Sequence, residues 1–103
     1  MNYKIMRTDK ADEQLRNDIL YIAKDTGSVE RALSYLEKIE NAINLLGTTP
    51  YIGTKPRYSI LRKQGYLVLI VEKHLVFYKV SEGDKTVIIY AIIDGRREYK
   101  NLI

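Results

Sequence analysis

Chemistry in this chain would be carried by cations and tyrosines. One group is Asp94-Gly95-Arg96-Arg97-Glu98-Tyr99, which follows an apolar run directly. Arginines at the end of a rigid strand can be held against a phosphate or an acidic partner. Arg96 and Arg97 alternate along the chain and so point in different directions; one can face a site while the other pairs with Asp94 or Glu98. The second group is a mixture of Lys55, Arg57, Arg62, Lys63, Lys73, Arg96, Arg97 and Lys100 with Tyr51, Tyr58, Tyr66, Phe77, Tyr78, Tyr90 and Tyr99. Arginine holds phosphates and tyrosine stacks on bases. His74, the sole histidine, is of the type that moves protons near neutral pH. RNA cleavage needs little more: a base takes the 2′-hydroxyl proton, cations stabilise the charged transition state, and an acid protonates the leaving oxygen. Plainer readings stand beside these. The ending also reads as a solvated strand end with a basic tail, His74 as an ordinary residue at the head of a strand, and at least half of the aromatics as core.

Other chemistries are poorly served. With no cysteine and one histidine there is no thiolate zinc site, disulfide framework or cysteine nucleophile, and neither metal nor cofactor is expected. No glycine-rich phosphate loop occurs. The length of 103 residues predicts one domain spanning 1–103. No apolar run reaches the length of about 18 residues that a membrane span needs, and Met1-Asn-Tyr-Lys-Ile5 lacks the apolar stretch of a signal peptide. A cytoplasmic protein with no membrane partner is expected. Residues 1–47 hold seven Lys/Arg against eight Asp/Glu, whereas residues 48–103 hold ten against five. The net charge of +4 therefore belongs to the second half, which favours nucleic acid, ribosome or an acidic protein as partner.

The elements that must position these residues follow in order. Tyr3–Arg7 alternates weakly and predicts a short strand. Thr8 is a candidate N-cap, and Ala11, Leu15, Ile19 and Ile22 recur at helical spacing up to a stop at Gly27, which predicts a helix over 9–25. Ser28 caps a second helix, with Val29, Ala32, Leu36, Ile39, Ile43 and Leu46 forming a seam at steps of three and four. The link Thr26-Gly27-Ser28 is short enough to make the pair an antiparallel hairpin. Leu33, Tyr35 and Leu45 lie off the seam; they pack on the first helix or leave a groove for a partner. Thr48–Pro56 reads as a loop. Tyr58–Lys63 predicts a weak strand, Tyr66–Val71 a central strand covered on both faces, His74–Val80 a third, and the run from Lys85 a fourth. Glu72-Lys73 and Ser81–Asp84 are turns between them, so these strands form an antiparallel meander. Residues 99–103 form a short helix or a tail. The expected fold is α+β, ordered β-α-α-β-β-β(-β), with an antiparallel sheet covered on one face by the helical hairpin.

The order and spacing of these residues resemble the RelE/ParE superfamily of bacterial type II toxins. The resemblance is carried by Tyr3-Lys-Ile5, Thr8, Ala11, Leu15, Ile19, Tyr21-Ile-Ala23, Ala32, Ile39, Ile43, Leu46, Pro50, Gly53, Leu75-Val-Phe-Tyr78, Val87-Ile-Ile89, Asp94–Tyr99 and Leu102. The long first helix and Tyr-Ile-Ala look more like the ParE side. The resemblance implies a toxin held inactive by a cognate antitoxin in a hetero-oligomer. RelE-like members cleave mRNA on the ribosome; ParE-like members poison DNA gyrase without chemistry of their own. On the ribonuclease reading Arg97 and Arg62 would stabilise the phosphate and Tyr99 or His74 would move a proton, with Lys55, Arg57, Lys63 and Arg96 as further phosphate contacts. Many relatives carry an arginine where this chain has Leu67, which argues for the gyrase reading. An inactive antitoxin-binding module is the third reading.

Overall fold

A computed structural model describes residues 2–96; Arg97, Tyr99 and the expected terminal segment lie outside the described residues. The chain runs β1 (Lys4–Arg7), α1 (Asp9–Thr26), α2 (Val29–Leu45), α3 (Ser59–Lys63), β2 (Leu67–Val71), β3 (His74–Ser81) and β4 (Thr86–Asp94). The strands form one sheet in the order β1-β4-β3-β2. The hairpin caps are those expected. The Thr8 side chain accepts from the Ala11 N–H, Ser28 accepts from Arg31, and Gly27 closes α1 at φ 68°, a conformation that suits glycine.

The α+β class and the covering hairpin are as expected, and three details differ. First, the meander β2-β3-β4 is antiparallel, but β1 pairs parallel with β4, Lys4 opposite Thr86 and Arg7 opposite Ile89. The two-helix crossover returns the chain to the same end of the sheet, which is what a parallel neighbour requires. Second, β4 is therefore interior and Tyr66–Val71 is not: β2 is an edge strand, with Ile70 64 % exposed. A continuous apolar run marks a covered strand only when both faces have something to cover them. Third, Tyr58–Lys63 holds a short helix instead of a strand. Its adjacent Ile60 and Leu61 would point to opposite faces of a sheet; in α3 only Leu61 is buried, while Ile60 stays exposed.

Two clusters hold the layers together. Between hairpin and sheet lie Leu15, Ile39, Ile43, Leu46, Val76, Tyr78, Val87, Ile89 and Ile92, among others. On the opposite face α3 sets Leu61 against Val68, Phe77, Ala91 and Ile93. Val29 was expected on the seam but is exposed, as are Leu33 and Leu45. Leu20 and Tyr21 join them, so the outer hairpin carries apolar surface. The register of β3 against β4 shifts from Phe77–Ala91 to Tyr78–Ile89, leaving Tyr90 as the extra residue of a bulge. Where β1 ends, α1 takes over the pairing: Gln14 Oε1 accepts from the Ile92 N–H at 2.9 Å. No described helix is long and apolar enough to cross a membrane.

Candidate functional site

Among the described residues, the structure divides the predicted site residues between two places. The first is a cleft of about 300 Å³ between the sheet end and the hairpin, lined by residues that include Asp18, Tyr21, Asp25, Tyr35, Lys73, His74, Asp94 and Arg96. His74 is its floor and is only 4 % exposed. It opens β3 after the two-residue turn Glu72-Lys73, in which Glu72 takes a positive φ of 56°. His74 Nε2 lies 2.9 Å from Asp18 Oδ2, on α1, and Nδ1 lies 2.6 Å from the Tyr35 hydroxyl, on α2. A carboxylate accepts, so Nε2 carries the proton and Nδ1 accepts from the tyrosine O–H. The same Tyr35 oxygen accepts from the Lys73 backbone N–H at 3.2 Å. Burial raises the Tyr35 pKa above the ordinary phenol value. That is the wrong direction for a tyrosine that is to ionise as a base.

Arg96 reaches this cleft and is paired there. Its Nη2 lies 2.6 Å from Asp94 Oδ2, and its Nε and backbone N–H both donate to Asp94 Oδ1. Those bonds from Arg96 hold the Asp94 carboxyl at about 2, well below its ordinary value. Sequence reasoning put His74 and Arg96 in the catalytic and phosphate-binding sets but did not find Tyr35 or Asp18 as their partners. The signal was faint: both are polar residues of amphipathic helices, and only the tertiary fold brings them to His74.

The second place is a basic mouth of about 440 Å³ where β2 begins. It is lined by Lys55, Ser59, Arg62, Lys63, Gly65, Tyr66 and Leu67. Leu67 is opposite Tyr78 and Val71 opposite His74, so β2 separates the mouth from the cleft by about 13 Å of strand. Lys55, Arg62 and Lys63 are thus brought together, and His74 and Arg96 are not among them. Lys55 and Lys63 are exposed. Arg62 is tied to the backbone: Nη1 donates to Pro56 O at 2.8 Å and Arg57 O at 2.7 Å. The Arg57 guanidinium stacks over the Tyr58 ring at 5.0 Å and donates to its hydroxyl. Leu67 packs against the main core, leaving the mouth an apolar side. Beside it, the Lys79 ammonium lies 4.4 Å from the centre of the Tyr66 ring and 5.3 Å from that of the bulged Tyr90. That contact explains two of the aromatics interleaved with cations.

The loop that carries Lys55 is anchored from both sides. Thr54 and Val68 exchange backbone hydrogen bonds at 2.8 Å. The buried Tyr78 hydroxyl accepts from Gly53 N–H at 3.0 Å, and a Cβ at Gly53 would stand 2.6 Å from that oxygen. Farther along, Tyr51 and Tyr3 donate to Glu82 and Lys85 pairs with it, clasping loop, β1 and the β3–β4 turn. Led by the Tyr51 bond, these contacts hold Glu82 at about 2 and raise Tyr51 to about 12.

Comparison with known proteins gives this arrangement its relatives. The chain matches the family model of the ParE toxin of the type II toxin–antitoxin system parDE over residues 5–99. A search of curated proteins finds no match. Among solved structures, a chain of the chromosomal ParDE toxin–antitoxin system from P. aeruginosa is 19 % identical, with a TM-score of 0.73 over 89 % of this chain and 95 % of that one. A chain of the RelBE2 toxin–antitoxin complex from Mycobacterium tuberculosis is 18 % identical, with a TM-score of 0.63 over 91 % of this chain and 99 % of that one. At those identities the two structures speak for the fold alone.

Proposed function

Because this chain belongs to the ParE toxin family of type II toxin–antitoxin systems, we propose that it arrests growth by gripping a protein target, DNA gyrase first among candidates, and performs no chemistry of its own. A cognate antitoxin would hold it inactive in a cytoplasmic hetero-oligomer, a reading supported by its structural neighbours, which come from toxin–antitoxin systems. The observation that carries the protein-target reading is the state of three described candidates, the catalytic candidates His74 and Arg62 and the phosphate-binding candidate Arg96. The His74 ring has both nitrogens hydrogen-bonded beneath the hairpin, Arg62 is tied to backbone carbonyls, and Arg96 is paired with Asp94. A proton-transfer residue must reach the proton that it moves. His74 is buried at the far end of β2 from the basic mouth, and by the family resemblance Leu67 stands where many relatives carry an arginine.

Messenger RNA cleavage on the ribosome is the second reading. It is favoured by the gathering of Lys55, Arg62 and Lys63 at one mouth beside Tyr66. Its catalytic residues would then be Arg97 and Tyr99, with Lys55, Arg57 and Lys63 on phosphates. Purified toxin separates the two. The protein-target reading expects inhibition of gyrase supercoiling with translated mRNA left whole on ribosomes. Ribosome-dependent cuts with untouched gyrase would overturn it in favour of the second.

A further inference from the structure

We propose that Tyr35 and His74 are positioning residues, through which the helical hairpin sets how the Arg96-bearing end of β4 is presented to the target; this rests on the protein-target reading above. The connection is an unbroken series of hydrogen bonds across four elements. Asp18 on α1 accepts from His74 Nε2 at 2.9 Å, and Tyr35 on α2 donates to His74 Nδ1 at 2.6 Å. Tyr35 also takes the Lys73 N–H at 3.2 Å, and Lys73 O in turn accepts from Gly95 N–H at 2.8 Å. Gly95 is the residue at which the chain leaves β4, immediately before Arg96. A Cβ there would meet Lys73 O at 3.2 Å and Leu75 Cγ at 3.3 Å, so turn and exit are in direct backbone contact. His74 is also the register partner of Asp94, the carboxylate that clamps Arg96.

The layout gives the hairpin leverage over this exit. Tyr21 lies one turn beyond Asp18 on α1, and Leu33 lies two residues before Tyr35 on α2; both are more than half exposed. A protein covering that outer apolar surface presses on the two helices that grip the turn. Among the described residues the turn has no comparable hold on the sheet's open side, because β2 is an edge strand and Ile70 beside it is exposed. Displacing either helix moves Tyr35 or Asp18, hence Lys73, hence Gly95. The network joins the outer apolar surface of the hairpin to the Arg96-bearing end of β4.

Tyr35→Phe tests this by removing one oxygen and preserving the ring. Amide exchange is read by NMR and potency by inhibition of purified gyrase. The expected result is exchange about tenfold faster at Lys73 and Gly95, with Val76 and Ile92 in the core unchanged and potency down by about tenfold. Asp18→Asn keeps an oxygen acceptor for His74 and should behave as the parent chain in both readouts. Unchanged exchange at Gly95 overturns the inference. So does faster exchange with full potency, and so does a uniform rise through the core, which marks a merely structural tyrosine. A parent chain that leaves gyrase untouched overturns gyrase as the target instead, and the exchange pattern alone then decides whether Tyr35 holds Gly95.

Discussion

The cleft and the basic mouth lie at opposite ends of the same short strand and are built on opposite plans. In the cleft the key polar groups answer one another: Asp18, His74, Tyr35 and the Lys73 amide form a closed series, and Asp94 is matched to Arg96. At the mouth Lys55 and Lys63 stand exposed on a loop and a short helix, held in place by backbone contacts behind them. A satisfied buried network specifies where elements sit, because every missing partner has a cost. Exposed like charges contribute little to stability and much to long-range attraction. The cleft therefore reads as machinery of position and the mouth as a surface for binding.

Substitutions should break that contrast in order of size. His74→Leu leaves the Tyr35 hydroxyl and the Asp18 carboxylate without their partner and should cost about 3 kcal/mol in chemical denaturation. Gly53→Ala forces a methyl against Tyr78 and Val68 O and should cost about 2 kcal/mol, moving the Lys55 loop with it. Arg62→Ala loses its bonds to two carbonyls, about 1 kcal/mol. Lys55→Ala and Lys63→Ala should change stability by less than about 0.5 kcal/mol and yet weaken association with an anionic target, more so at low salt. A loss of stability at the mouth lysines as large as at His74 would erase the distinction.

A last contrast is in pH. Asp94 in the cleft and Glu82 in the surface clasp both titrate at about 2, below their ordinary values of 3.8 and 4.5. A carboxyl whose folded pKa is depressed adds stability above its unfolded pKa, and that stability is lost as pH falls through the folded value. The melting temperature should therefore drop between about pH 4.5 and 2, and Asp94→Asn and Glu82→Gln should each make the drop shallower. An unaltered profile in both variants would remove these pairs from the account.

Most of the fold was legible from the chain itself. The hairpin announced itself through Thr8, Gly27, Ser28 and a regular seam, because caps and helical spacing are local signals. The meander was legible through its turns. Two features were not local. Whether Tyr66–Val71 is central depends on where β1 docks, which is decided some sixty residues away in the chain. The helix at Ser59–Lys63 depends on one buried residue, Leu61, packed on the opposite face of the sheet. The site was less legible. The clustering of Lys55, Arg62 and Lys63 was visible as a basic stretch, but His74 and Arg96 were grouped with it on residue type alone. The Asp94–Arg96 pair was among the pairings the sequence offered, because it is local, whereas the partners of His74, Asp18 and Tyr35, became apparent only when the sheet end met the hairpin.

Growth arrest by a grip on a protein target would leave a different mark in cells from mRNA cleavage. The chain is induced without its antitoxin, and RNA 5′ ends and DNA breaks are mapped from the same culture. A grip on gyrase predicts growth arrest with gyrase-dependent DNA breaks and intact messenger RNA. Codon-positioned cuts in translated mRNA, with DNA unbroken, would contradict it.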